Sequence, residues 1–208
     1  MDDPDAVARV RLDGFAVTCA VPADRAAIVA MLARAFADDP AMAYIFPDPA
    51  DRARRLPRLF ALLLDSAPPG GLCLVTARGD AATLWRPPGR TVRPMLDLLR
   101  LAWPMWRTFG PALGRVRAVS DAIAAHFPIG PHWYLHIAGC DPAVQRCGLG
   151  GAAVRAGLAR IAPSGLPVYL ETAREANLAF YRSLGFTVID DWTVGDAGPR
   201  FWSLLRCD

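Results

Sequence analysis

Residues 141–154 read DPAVQRCGLGGAAV, and this stretch decides how the rest of the chain is interpreted. Gly148, Gly150 and Ala153 have the spacing G-x-G-x-x-A, in which glycines let a backbone approach a phosphate closely. A strand is predicted over residues 132–140, HWYLHIAGC, and a helix over residues 148–162. The stretch therefore predicts a phosphate-binding turn between a strand and a helix.

One interpretation of this turn is a dinucleotide-binding fold, because Glu171 follows about 20 residues later, where a ribose-binding acid is expected. Two observations weigh against it. Residues 141–147, with Pro142, separate the strand from Gly148, whereas a dinucleotide-binding strand turns straight into its helix. Only residues 172–208 remain for the further strand–helix units of such a fold. These observations make an NAD(P)-dependent oxidoreductase the least favoured of three possible functions.

A helix that begins at the glycines explains the turn better. The first amides of a helix have no partner within it, and the helix dipole places positive charge at the same end. Because Gly148, Gly150 and Gly151 carry no side chain, phosphate oxygens can approach the amides of residues 147–152. The sequence thus predicts a site for one pyrophosphate group.

The composition limits which classes of protein are possible. The chain has 208 residues, of which 53% are hydrophobic, so it is globular and long enough for one domain with a core. Its net charge of +3 is too small to indicate a nucleic-acid partner. All 23 basic residues are arginine, which excludes a Walker-type loop and Schiff-base chemistry by lysine. The five cysteines form no C-x-x-C pair, so neither a disulfide framework nor a metal site is expected.

No targeting signal is visible in the sequence. The residues after Met1 are acidic and polar, and no apolar run approaches the roughly 20 residues of a membrane span. We therefore expect a cytoplasmic protein that binds no membrane. The sequence leaves monomer and homodimer open.

The remaining pattern predicts a mixed α/β fold in a single domain over residues 1–208. Strands are predicted over residues 15–20, 72–76, 81–85, 132–140, 168–172, 187–194 and 200–205, and helices over residues 22–36, 52–65, 148–162 and 176–184. Residues 1–13 are predicted as an irregular start, and residues 37–52 as a loop with three prolines. Residues 90–130 are predicted as a helical insertion broken at Pro104 and near Gly110.

Two motifs carry a resemblance to a known family. Residues 145–150, QRCGLG, resemble the Q/R-x-x-G-x-G/A motif of the GCN5-related N-acetyltransferases, which bind acetyl-CoA. Residues 177–186, NLAFYRSLGF, resemble the later F-Y-x-x-x-G-F signature of the same family. Residues 33–40, 84–89 and 132–135 resemble its bacterial, puromycin-acetyltransferase-like branch, from which Cys147 departs because that branch often has glycine or a small polar residue there.

The resemblance implies a mixed, mostly antiparallel sheet flanked by helices, with the strands at 132–140 and 168–172 splayed apart. The pantetheine arm of acetyl-CoA would lie in that gap, and an amide of the first strand would polarise the thioester carbonyl. The implied cofactor-binding residues are Ile137, Ala138, Gly139, Cys140, Gln145, Arg146, Cys147, Gly148, Leu149, Gly150, Gly151, Asn177 and Tyr181. The expected reaction moves the acetyl group to a primary amine of a small molecule by direct attack in a ternary complex. A non-catalytic acyl-CoA-binding regulatory module is the alternative.

The candidate acid and base come from two elements. Tyr181 matches the family's general acid, and a phenol with an ordinary pKa near 10 can donate a proton at neutral pH; the alternative is packing beside Phe180 and Phe186. Asn177 either binds the cofactor arm or caps its helix. Glu171 is the candidate base, with an ion pair to an arginine such as Arg174 as its structural alternative.

Other groups remain open as proton acceptors or nucleophiles. His136 alternates with His132 and Tyr134 along one strand, so these three side chains share a face of the sheet. His136 is therefore a second candidate for the base or for substrate binding, and bulk water is a third. A cysteine nucleophile at Cys140 or Cys147 is disfavoured, because no histidine is placed to activate it.

The acceptor pocket is predicted from residues 38–48, Trp85 and part of residues 90–127. Tyr44, Phe46 and Trp85 indicate an aromatic, fairly apolar cleft. Asp39 is a candidate partner for a cationic amine. The alternative for the loop is that its apolar side chains are part of the core.

Overall fold

One eight-stranded sheet organises the chain in the computed structural model, which describes residues 10–12, 14–89 and 105–207. The strands are β1 Val10–Leu12, β2 Phe15–Cys19, β3 Leu72–Thr76, β4 Ala81–Arg86, β5 Trp133–Cys140, β6 Val168–Thr172, β7 Thr187–Thr193 and β8 Arg200–Arg206. Their order across the sheet is β1-β2-β3-β4-β5-β6-β8-β7. Six of the seven pairings are antiparallel, and only β5 and β6 run parallel.

The described part of the chain has six numbered helices, packed on both faces of this sheet. They are α1 Arg25–Ala35, α2 Pro40–Ile45, α3 Pro49–Asp65, α4 Leu113–Ala125, α5 Leu149–Ile161 and α6 Asn177–Ser183. Helices α1 to α4 enclose the core on one face, and α5 and α6 enclose a second cluster on the other. None of the helices in residues 14–89 and 105–207 is long and apolar enough to cross a bilayer.

The sheet forks between β5 and β6. The two strands pair only at Trp133 with Val168 and at Tyr134 with Tyr169, although β5 runs on to Cys140. On its other side β5 pairs with every residue of β4. The register shifts between Leu84 and Trp85, so His136 of β5 is the extra residue of a β-bulge. This splayed, mostly antiparallel sheet flanked by helices confirms the predicted fold class.

The prediction of a loop over residues 37–52 was wrong, because this segment contains α2 and the start of α3. The Asp39 carboxylate accepts from the amides of Ala41 at 2.9 Å and Met42 at 3.2 Å, and proline occupies the first position of α2. Asp48 and Pro49 repeat the arrangement at α3. An acid followed by proline is thus a helix start here, since the missing amide of proline costs nothing in the first turn.

Two other predictions concern the ends of the described segments. Residues 10–12 form β1, whereas the sequence predicted an irregular start over residues 1–13. In the predicted insertion, residues 105–109 are helical, Gly110–Ala112 form a tight turn and α4 follows. Residues 90–104 of that insertion, with Pro104, lie outside the described residues.

Candidate active site

A cleft of about 670 Å³ opens where β5 and β6 diverge, and we call it the fork cleft. Eleven predicted site residues line it: Asp39, Ala138, Gly139, Cys140, Gln145, Arg146, Gly148, Gly150, Gly151, Asn177 and Tyr181. The other predicted residues, Ile137, Cys147, Leu149, Tyr44, Phe46, Trp85, His136 and Glu171, are not among its lining side chains. The fork therefore brings the glycine turn and the Tyr181 helix to one place.

The glycine turn has the backbone conformation of an anion-binding loop. Gly148 has φ 85° immediately before α5, and Arg146 has φ 64°, the one positive φ of a non-glycine residue in the described ranges. Left-handed residues of this kind turn successive amides toward one point, and the first amides of α5 add to them. A left-handed arginine costs about 1 kcal/mol, so strain is stored where the ligand is expected.

The electrostatics of the fork cleft favour an anion. Arg146, Arg155 and Arg174 line it, against the single carboxylate of Asp39. A Cβ on Gly151 would lie 3.1 Å from the Arg155 guanidinium, so glycine at this position leaves room for the arginine side chain. Three arginines together with the start of a helix suit a ligand that carries a pyrophosphate and an additional phosphate group.

The β5 wall of the cleft is a backbone edge. Beyond Tyr134, β5 has no strand partner on the β6 side in the described sheet, so its polar backbone groups there are open to an extended ligand. Gly139 is required by the packing behind this edge, because a Cβ would lie 2.4 Å from Cδ2 of Leu32 and 3.5 Å from Cβ of Ala35. An amide-bearing arm can therefore pair with β5 in the manner of an added strand.

Tyr181 lies between the second core cluster and the cleft. Its ring is 7% exposed and contacts Phe180 and Phe186 at centroid distances of 5.0 and 5.9 Å. Burial raises the pKa of its phenol, and the charges of Glu171 and Asp39 raise it further, so the group is a protonated donor at neutral pH. Tyr181 therefore packs against Phe180 and Phe186 and also lines the cleft, so packing does not exclude a role as the acid.

Asn177 does not cap its helix, so that alternative was wrong. The residue before α6 is Ala176, with no side-chain cap, and the Asn177 amide donates to Oγ1 of Thr172 at 3.1 Å. Because Asn177 also lines the fork cleft, its position is compatible with a contact to a bound arm.

Glu171 lies on β6 beside the fork. The Tyr134 hydroxyl donates to its Oε1, while Oε2 is buried and has no hydrogen-bond partner among the described residues. Burial raises the pKa of this carboxyl to about 8, although the Tyr134 hydrogen bond and the charge of Arg86 act in the opposite direction. Of the arginines considered as partners of Glu171, Arg174 was the wrong example, because it donates to the carbonyl oxygen of Asp38; the arginine whose charge acts on Glu171 is Arg86.

His136 and the cysteines are poor alternatives to Glu171. Burial, and then the charge of Arg86, lower the pKa of His136 to about 3, so its imidazole is neutral and weakly basic. Burial raises the pKa of the Cys140 thiol, which is therefore not activated. Cys147 is exposed.

The predicted aromatic acceptor residues were in part wrong. Phe46 is 1% exposed and stacks on Phe109 at 6.0 Å. Trp85 is also 1% exposed, donates its indole N–H to Oγ1 of Thr83, and occupies the space that a Cβ on Gly157 would need. Trp85 is a core side chain because β4 is buried on both faces, and Phe46, which follows α2, belongs to the first core cluster. Tyr44 is half-buried against the first core cluster.

A different aromatic cluster lies beside Glu171. It consists of Phe127, His132, Tyr134, His136 and Tyr169, with ring centroids 5.1 to 6.0 Å apart. The period-2 alternation of β5 correctly predicted that His132, Tyr134 and His136 lie together. Nothing in the sequence indicated that Phe127 would join them, because the contact depends on how the chain returns from α4. Arg155, Phe36 and Arg174 of the cleft were also missed, since no motif marks them.

Comparison with solved structures places this geometry in a known class. No protein-family model matches the sequence. The structure is similar to a protein described as histone acetyltransferase HPA2 and related acetyltransferase from Corynebacterium glutamicum, with 26% identity, 92% of this chain and 94% of that chain covered, and a TM-score of 0.70.

Two less similar structures share the fold. A polyamine N-acetyltransferase of Drosophila melanogaster is 16% identical over 93% of this chain and all of its own, with a TM-score of 0.59. A ribosomal-protein-alanine N-acetyltransferase of Escherichia coli is 15% identical over 92% of each chain, with a TM-score of 0.53. The fold is thus that of the GCN5-related N-acetyltransferases, and the likeness to the Corynebacterium protein indicates that the chain is an acetyltransferase.

Proposed function

We propose that the chain moves an acetyl group from acetyl-CoA to a primary amine of a small molecule, by direct attack in a ternary complex. The proposal rests on one observation. The fork in the sheet brings a phosphate-binding turn, an open strand edge and a protonated phenol to one cleft, with a buried carboxylate beside it.

The residues of the cleft fit coenzyme A. The turn at Gly148, with Arg146 and Arg155, suits the pyrophosphate, and the open edge of β5 suits the amide groups of the pantetheine arm. Bound acetyl-CoA supplies an activated acetyl thioester. Among the described residues, no group of three or more histidine, cysteine or acidic side chains is placed to hold a metal ion.

The protons of the reaction have named partners. An amine reaches the site as an ammonium ion and must lose a proton before it attacks; the Glu171 carboxylate takes it directly or through water. A backbone amide of β5 stabilises the developing oxyanion. Tyr181 donates its phenolic proton to the departing thiolate.

The acceptor is inferred to be a small amine with an apolar body. Phe36 and Phe180 line the fork cleft and offer aromatic surface, and the charges of the Asp39 and Glu171 carboxylates act on Tyr181 in the same cleft. The relatives above act, by their descriptions, on histone, polyamine or ribosomal-protein amines, so fold alone does not choose the acceptor. The puromycin-acetyltransferase-like branch stays a prediction.

The test is release of free thiol from acetyl-CoA in the presence of aliphatic amines, arylalkylamines, diamines and short peptides. The wild type is compared with Tyr181→Phe, which should lower turnover at least about tenfold while acetyl-CoA still binds. Tyr44→Phe is the matched control, because it removes a phenol outside the fork cleft. If acetyl-CoA binds and no amine is consumed, the protein is the non-catalytic binding module; absence of binding overturns the account of the glycine turn.

A further inference from the structure

The Tyr134 hydroxyl and the Glu171 carboxylate join the two strands just past the point where their ladder ends. Tyr134 pairs with Tyr169 at the last paired position of β5 and β6, and Glu171 lies two residues further along β6. The hydroxyl of Tyr134 donates to Oε1 of Glu171. This side-chain contact therefore spans the base of the fork, where backbone pairing has stopped.

The Tyr134 ring is fixed by its neighbours. It is 7% exposed, and its centroid lies 5.1 Å from that of Phe127, 5.1 Å from that of His136 and 6.0 Å from that of Tyr169. The hydroxyl therefore has one available position, and this position determines where Oε1 of Glu171 lies. The other oxygen, Oε2, is buried, and no group in the described part of the chain forms a hydrogen bond with it.

Among the described residues, the charge that acts on this carboxylate is that of Arg86 on β4, and the titratable side chains around it are Tyr134 and His136 of β5, Tyr169 of β6 and Tyr181 of α6. One step further out, His132 and Asp190 face Tyr169, and Asp39 faces Tyr181. From β8, Ser203 pairs with Glu171 in register and carries no charge. The Tyr169 hydroxyl bonds Oγ of Ser203 and not Glu171. Among these groups, Tyr134 is the one whose hydrogen bond to Glu171 is observed.

We propose that Tyr134 is the positioning residue of the base: its hydroxyl holds Oε1 of Glu171, leaves Oε2 to accept the proton of the incoming amine, and sets the pH above which the enzyme acts. This inference rests on the proposed function, since it gives Glu171 a proton to take. It assigns to Tyr134 a role that the glycine and F-Y motifs do not contain.

The sign of the effect follows from the hydrogen bond. A donor to a carboxylate stabilises the ionised form, so Tyr134 lowers the pKa of Glu171 from the value that burial alone would impose. Without the hydroxyl the carboxylate ionises at a higher pH. Hydrogen bonds to charged groups contribute enough to shift an ionisation by about one to two pH units.

The experiment compares pH profiles of kcat/KM for the wild type, Tyr134→Phe and Tyr169→Phe. The acid limb of the profile should move up by about one unit or more in Tyr134→Phe, with an activity loss of about tenfold at pH 7 that is recovered above pH 9. Tyr169→Phe removes a phenol from the same cluster without touching the Glu171 hydrogen bond, so its limb should stay in place. A pH-independent loss in Tyr134→Phe overturns the inference, and so does an equal shift in both variants.

A second readout needs no turnover. The chain contains two glutamates, Glu171 and Glu175, so carbon-13 labelling of the glutamate carboxyls gives two signals, which Glu171→Gln assigns. The Glu171 signal should titrate at higher pH in Tyr134→Phe than in the wild type. An unchanged titration overturns the role of Tyr134. A shifted titration in a protein that acetylates no amine overturns the proposed function, and the catalytic part of this inference with it.

Discussion

Arg174 donates through Nη2 to the carbonyl oxygen of Asp38 at 2.5 Å, and this bond crosses the fork cleft. Asp38 follows α1, which packs against β5, whereas Arg174 follows β6. The bond therefore ties the two walls of the cleft together outside the sheet. Because Arg174 also lines the cleft, one side chain both bridges the walls and adds positive charge.

Arg174→Ala should weaken acetyl-CoA binding about tenfold, since it removes a charge-assisted hydrogen bond and a cation near the expected phosphates. Arg174→Lys keeps the charge and should have a smaller effect. Titration calorimetry with acetyl-CoA measures both. Arg182→Ala, on the exposed side of α6, is the control for net charge and should bind normally. Equal weakening by the two alanine variants would mean that the bridge has no role.

Gly148→Ala should abolish most acetyl-CoA binding. The residue has φ 85° at the start of α5, where a Cβ is strained and would contact the Phe15 ring at 3.4 Å. Gly165→Ala is a matched control, because Gly165 has φ 60° just beyond the other end of the helix, outside the cleft, with open space around it. Both variants should lose about 1 kcal/mol of unfolding free energy.

Only Gly148→Ala should also lose the increase in Tm that acetyl-CoA gives the wild type. If Gly165→Ala loses this ligand-induced increase to the same degree, general destabilisation accounts for the result and the turn is not the phosphate site.

Two substitutions of Arg146 separate the effect of its backbone strain from the effect of its side-chain charge. Arg146→Gly relieves the left-handed backbone, so its unfolding free energy should exceed that of Arg146→Ala by about 1 kcal/mol. Both variants lack the cation and should bind acetyl-CoA more weakly than the wild type. Urea denaturation gives the first comparison and calorimetry the second. A glycine variant no more stable than the alanine variant would show that the positive φ stores no strain.

The sequence predicted the fold because its decisive signals are local. Glycine spacing and period-2 alternation each depend on a few neighbouring residues. The fork was expected only through the resemblance to a family, since the end of the β5–β6 ladder depends on contacts between distant segments. The two acid–proline pairs are local as well, but they were interpreted as loops although they start helices.

The acceptor side was predicted least well, because aromatic residues serve cores and pockets alike. Trp85 and Phe46 are residue types that often line ligand pockets. Only the packing of Trp85 against Gly157 and of Phe46 against Phe109 shows that they belong to the core. The Tyr134–Glu171 bond joins residues 37 positions apart, which no sequence pattern places together. Side chains that meet across strands are thus what the structure adds.

The raised pKa of Glu171 predicts a cost in stability that grows with pH. An unfolded glutamate has a pKa of 4.5, whereas the folded carboxyl ionises at about 8. The folded state therefore holds the proton more tightly, so stability from this group is full below pH 4.5 and is lost as the pH rises toward 8.

Glu171→Gln removes this dependence and keeps an oxygen that can accept from Tyr134. Its Tm should match that of the wild type near pH 4.5 and exceed it increasingly up to pH 8, by about 2 to 4 °C for each kcal/mol recovered. Its turnover should fall, because the base is gone. Glu175→Gln, which changes an exposed carboxylate, should leave the Tm-against-pH curve unaltered. A wild-type Tm that stays parallel to that of Glu171→Gln across this range would mean that the carboxyl ionises normally in the folded protein, and that its burial does not prepare it to accept a proton near neutral pH.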